Sequence, residues 1–173
     1  MRRRLARAAA KVCLALATLG LVVPSTTATA APAAQTFHQQ TVVLPLSGTF
    51  RTLGSEAIDV TGSLRVKVVT DTAQGGGGTA HVTSTMLRTT GVGQVSGGTY
   101  RFVGSDHNVV TFPPGPIAPL TFHPTFFNVY PPGPIIPTVP PHPIQPVILR
   151  VALAQDGAIN GISATIDPGT TDN

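Results

Sequence analysis

Asp106-His107 sets a carboxylate beside an imidazole, inside the stretch GSDHNVV. Acid–base chemistry needs both groups within hydrogen-bond reach of one proton. Neighbours on a strand point to opposite faces, so an Asp-His pair makes a dyad there only across a bulge. Asp and His are both common in turns, and a turn between two strands is the role expected for Asp106 and His107. Glu56 and Asp59 form a second acidic pair, three residues apart. A glycosidase holds two carboxyls about 5–10 Å apart on opposite sides of a sugar. Two acids with this spacing at a strand start face opposite ways near solvent, so solvated surface acids are expected.

Five histidines are candidate metal ligands: His38, His81, His107, His123 and His142. Metal sites often use ligands two apart on a strand or four apart on a helix. No pair here has that spacing. His123 and His142 follow the two copies of a PPGPI unit and would meet if the copies pack together. That gives two ligands without a carboxylate or thiolate nearby. The glycine run in DTAQGGGG could cradle phosphate, but such a cradle needs a following helix N-terminus and usually a Lys. A strand pattern follows instead, and the run reads as a loose, mobile hairpin loop. No G-x-S-x-G elbow, Rossmann fingerprint or P-loop occurs. Ser96-Gly97-Gly98 and Gly91-Val92-Gly93 read as turns. No catalytic, cofactor-binding or metal-ligating residue is therefore assigned.

The elements around these residues begin with an export pattern. MRRRLARAAAK is basic, Val12–Val23 carries no charge, and PSTTATA ends in Ala28-Thr29-Ala30. Basic, apolar, then small is the order of a secretory signal peptide, with cleavage expected after Ala30. The apolar run is shorter than a membrane span needs, so the mature chain is expected to have none. Eleven Lys and Arg against seven Asp and Glu give the whole chain a formal charge of +4. Five of those cations precede Ala30, leaving six against seven acids, a formal −1. No basic stripe with interleaved aromatics survives, which argues against a nucleic-acid partner. The one cysteine, Cys13, also precedes Ala30, so the mature chain has no disulfide and no thiolate site.

Residues 31–40 read as a flexible leader, and residues 41–173 as a single all-β domain. No stretch holds a period near 3.6. The clearest strand is 63–70, where Leu64, Val66 and Val68 point one way and Arg65 and Lys67 the other. Other strands are expected at 41–50, 57–62, 98–104, 107–112, 120–129, 146–155 and 158–166. The last two flank Asp156-Gly157, which suits a type I′ turn. Val147, Leu149, Val151 and Leu153 form one core face. About eight or nine antiparallel strands predict an up-and-down β-barrel or a β-sandwich.

Residues 112–146 hold 13 prolines among 35 residues, and four of the seven phenylalanines lie between Phe112 and Phe127. Proline removes a donor, which confines it to strand ends and sheet edges. The aromatic content argues against a linker. The segment is expected to be an ordered excursion between strands, with Leu120–Val129 as a strand between two extended arms. A polyproline ligand for a cell-wall partner is the other reading.

The stretch Gly54–Ser105 resembles a group of small secreted bacterial all-β proteins of uncharacterised function. The matching parts are GSEAIDVTG, Leu64–Val69, the acidic-glycine hairpin Asp71–Gly78, His81–Thr83, Gly91–Gly93 and Tyr100–Gly104. ILRVALAQDGAINGISATID is similar to the group's closing hairpin. The resemblance implies a secreted all-β domain and brings no reaction, cofactor or catalytic residue; the Pro-rich segment departs from it. The expected function is a non-catalytic extracellular or envelope-associated binding or structural module. The alternative is a small barrel carrying an apolar ligand, a role that weakens if Phe102, Phe122, Phe126 and Phe127 all point inward. A hydrolase would need Asp106, His107 or His81 to converge in a cleft.

Overall fold

Strand periodicity of two puts every second side chain on one face of a sheet. In 58–72 that alternation leaves Leu64, Val66 and Val68 fully buried and Arg65 and Lys67 exposed. The computed structural model describes residues 35–51, 56–126, 128–130, 132–133 and 144–169. The described residues form nine strands and no helix. They are β1 (Thr36–Phe50), β2 (Ile58–Thr72), β3 (Gly78–Gly93), β4 (Thr99–Val103), β5 (Ser105–Phe112), β6 (Leu120–Phe122), β7 (Asn128–Tyr130), β8 (Val147–Leu153) and β9 (Ile159–Ile166).

The first sheet is a long antiparallel meander, β1-β2-β3, built from strands of 15, 15 and 16 residues. On the far side of β3, β5 pairs residues 78–85 and β4 pairs residues 89–92. β4 and β5 are thus two halves of one bent strand, parted only at Gly104. The Gly104 carbonyl still accepts the Met86 N–H at 3.0 Å. β7 adds to the edge of β4. The second sheet is small, ordered β6-β8-β9, and covers one face of the first. The result is a two-layer antiparallel sandwich, and no closed barrel forms among the described residues.

The core lies between the layers. Leu64, Val66, Val68, Val82 and Phe102 of the long sheet meet Val147, Leu149, Val151 and Leu153 of β8. Phe122 and Phe126, from the Pro-rich segment, join the same core. Each fully buried side chain of this size contributes roughly 1.5–3 kcal/mol relative to exposure.

A bulge bends the long sheet. Register shifts between Thr61 and Ser63, so Gly62 faces both Arg88 and Thr89. Arg88 takes φ 43°, an uncommon left-handed conformation for a non-glycine residue. The Thr89 hydroxyl donates to the Ser63 carbonyl at 3.2 Å and accepts the Ser63 N–H at 3.3 Å. A side chain at residue 62 would run into Thr89, so glycine is required for that close approach.

Several expectations need correction. Residues 36–40 are not a leader but the first third of β1, paired with residues 68–72 of β2. The stretches 57–62 and 63–70 are one strand, because the extra residue of the bulge falls on β3 and Gly62 stays in the ladder opposite Leu46. Asp106 and His107 lie on β5, not in a turn. The Asp156-Gly157 turn is not type I′, since only Gly157 has positive φ, at 81°. The Gly157 N–H donates to the Ala154 carbonyl and the Ala154 N–H to the Ala158 carbonyl, the pattern of a type I turn with a glycine bulge. The loop at Gly75–Gly77 is closed by hydrogen bonds from Gly76 to Ala73 and from Ala73 to Gly77.

Leu120–Val129 is not a single strand. β6 joins the second sheet and β7 the first, with an isolated Phe126–Ile144 bridge between them. The Pro-rich segment is therefore where the chain changes sheets. The first PPGPI copy, Pro113–Ile117, lies against the β2–β3 hairpin, with Pro114 beside Gly77. Residues 134–143 of the second copy and its arm, including His142, lie outside the described residues, as do residues 1–34 and the expected cleavage site.

Candidate functional site

Two polar constellations stand on the long sheet. The first is built around Glu56, just before β2. Its carboxylate accepts the Val95 and Ser96 N–H groups at 2.9 and 2.8 Å, the Ser96 hydroxyl at 2.5 Å and the Tyr100 hydroxyl at 2.8 Å. Donors that favour the charged form lower a carboxyl pKa. The Ser96 hydroxyl leads here, followed by the Ser96 N–H, Tyr100 and Val95, and Glu56 is held down to about 2. The same hydrogen bond pushes the Tyr100 phenol up. Asp59 accepts from Thr49 Oγ1 at 2.7 Å and from Gln94 Nε2 at 2.9 Å. Glu56 and Asp59 thus both serve the β3–β4 turn at residues 94–96. Glu56 is a structural clasp rather than the plain solvated acid expected. Its partners lie 39–44 residues away, beyond any local pattern.

The second constellation is the outer face of β1, β2, β3 and β5. Registers align Gln39, Val69, His81 and Val109 in one row, Thr41, Lys67, Thr83 and His107 in the next, and Val43, Arg65, Thr85 and Ser105 in a third. The small sheet covers the opposite face. Val43 and Val109 on the outer face are 58% and 56% exposed. Thr41, Arg65, Lys67, Thr83 and Thr85 line a shallow depression of about 290 Å³. Thr83 Oγ1 lies 3.0 Å from His107 Nδ1, and the Thr85 and Ser105 hydroxyls are 3.0 Å apart. The His81 and His107 rings stack, with centroids 5.9 Å apart and planes at 27°. Arg65 and Lys67 are exposed and make no ion pair or side-chain hydrogen bond with any described residue. Residues two apart on a strand lie about 7 Å apart, so these are two adjacent, uncompensated positive charges.

The structure separates the residues a dyad would need. Asp106 and His107 point to opposite faces of β5, as alternation dictates. The Asp106 carboxylate accepts the Asn108 side-chain amide and the Thr125 N–H, each at 2.9 Å, while His107 stands outside with His81. His38 lies on β1, with its Nε2 buried and without a hydrogen-bond partner among the described residues. His123 Nδ1 approaches Asp167 Oδ2 at 3.8 Å. Among the described residues no three His, Cys, Asp or Glu side chains gather closely enough to hold a metal ion. Ser96, with Gly97 and Gly98, does form a turn, and its hydroxyl is taken by Glu56. Gly91 and Gly93 are strand residues of β3.

The sequence marks Arg65 and Lys67 as outward-facing but does not reveal what stands beside them. Their Thr and His neighbours come from three other strands and depend on register. Comparison with protein-family models, curated proteins and solved structures returned no match.

Proposed function

We propose that this chain is a secreted, non-catalytic β-sandwich module that binds an extracellular or envelope partner through the outer face of its long sheet. The observation that carries this reading is the pair Arg65–Lys67, exposed and without an ion pair among the described residues, on the hydroxyl-lined face that the small sheet leaves open. The three acids that the sequence offers for catalysis are engaged otherwise. Glu56 and Asp59 hold a turn, and Asp106 holds Asn108 and Thr125. Support for a binding face over an apolar cavity comes from Phe102, Phe122 and Phe126, which pack in the core; the side chain of Phe127 lies outside the described residues.

The test is co-sedimentation of the chain beginning at Ala31 with envelopes from its host, beside the double variant R65A/K67A. Retention of the parent and loss of the variant is the expected result. Equal retention of both would remove the face from the account. A tightly held mass of a few hundred daltons in native mass spectrometry of the secreted protein would favour the carrier instead.

A further inference from the structure

We infer that the outer face of β1, β2, β3 and β5 docks a linear phosphate-bearing glycan or polyol, seated across Arg65 and Lys67. This rests on the binding-module reading above and names its ligand class. Charge complementarity comes first. Arg65 and Lys67 stand two residues apart on β2, and the two rows they occupy carry no carboxylate. The nearest acid on that face of β2 is Asp71, toward the strand's far end. An arginine offers five N–H donors and a lysine three. The hydroxyls of Thr41, Thr83 and Thr85 surround them in the same depression. A phosphodiester, like a carboxylate, carries its charge on two oxygens that an arginine fork meets bidentately, and the hydroxyls of the sugar or polyol it links supply further acceptors for the remaining donors.

Shape argues for a polymer. The depression is open and lies on a sheet whose strands, at about 3.3 Å per residue, run for roughly 50 Å. Among the described residues nothing encloses a small ligand there, but a chain can lie along the strands or across them. Beside the cations are exposed surfaces that pack against sugar or polyol C–H groups: Val43, Val109 and the stacked His81–His107 pair. A second copy of this protein fits poorly, because the face would meet its own positive charges. Nucleic acid fits poorly as well. Two permanent cations make few phosphate contacts, and apart from the histidines the exposed aromatic described on this face is Phe37, two rows beyond Lys67, which gives successive bases no continuous platform.

The experiment is titration of the chain beginning at Ala31 with a poly(glycerol phosphate) oligomer, followed calorimetrically and by amide chemical shifts. Polygalacturonate, dextran and oligo-dT run in parallel. The inference expects binding to the phosphate polymer, shifts confined to the rows of Thr41 and Val43, and a weak salt dependence. Its log–log slope should be about −1.4 for two cations. Arg65→Ala and Lys67→Ala should each weaken binding roughly tenfold. Arg150→Ala, an exposed cation on β8, should leave it unchanged. Equal or tighter binding to polygalacturonate, dextran or oligo-dT would overturn the inference. So would binding indifferent to Arg65 and Lys67, or no binding to the phosphate polymer at all. If envelopes retain the protein through Arg65 and Lys67 while the phosphate polymer does not bind, the ligand class fails and the binding face stands. If neither binds, both fail.

Discussion

Glu56 accepts four hydrogen bonds from Val95, Ser96 and Tyr100 among the described residues, while Arg65 and Lys67, on the strand that follows, have no described partner. All three are charged groups at the surface of one sheet. The clasp converts charge into structure. It ties the approach to β2 to the turn that links β3 and β4, and it leaves that carboxylate little freedom for chemistry. The cation pair makes no hydrogen bond or ion pair with a described residue, so its donors stay turned to solvent. A charged residue with every valence used argues for architecture, and one with none used argues for encounter. On β5 the two charge-bearing neighbours part by face, Asp106 pointing in to hold Asn108 and Thr125 and His107 pointing out to meet Thr83 and His81.

The sharpest contrast is with the core. Phe102→Ala should cost about 3–5 kcal/mol in chemical denaturation, since it empties the space beside Phe50, whose ring meets it edge-on at 6.2 Å. Thr89→Val should cost about 1–2 kcal/mol, because it removes the hydroxyl bonds to both backbone groups of Ser63 at the bulge. Glu56→Gln should show its effect through pH. The folded carboxyl sits near 2 against an ordinary 4.5. Its contribution is therefore complete above about 4.5 and disappears as pH falls toward 2. Melting temperatures between pH 2 and 7 should decline over that window in the parent and less steeply in the variant. If both curves fall in parallel, the clasp is not ionised as described. The smallest effect belongs to R65A/K67A, whose stability should stay within about 0.5 kcal/mol of the parent. A larger loss would mean that the pair serves the fold, erasing the contrast with Glu56.

Legibility followed the range of the interaction. The in–out pattern of β2 and β8 was readable because alternation is local, and Leu64, Val66, Val68, Val147, Leu149, Val151 and Leu153 are buried as expected. The bulge was not readable, because Gly62 looks like a turn residue until Thr89 is seen to fill the space a side chain would occupy. The continuous run of Leu120–Val129 concealed a change of sheet, since short apolar stretches carry no sign of which layer they join. Glu56 looked like any surface acid because its donors are remote in sequence.

By itself the sequence determined that this is an all-β chain with an apolar inner face and a polar outer one, since the period of two is written into β2 and β8. Tertiary structure alone decided whether the strands closed into a barrel or stacked as two sheets. That choice turned on β6 and β7 parting company within the Pro-rich segment. It also decided that Thr41, Thr83, Thr85 and His107 gather around Arg65 and Lys67. Side chains on different strands become neighbours only through register, and hairpin turns and one bulge set that register across the whole sheet.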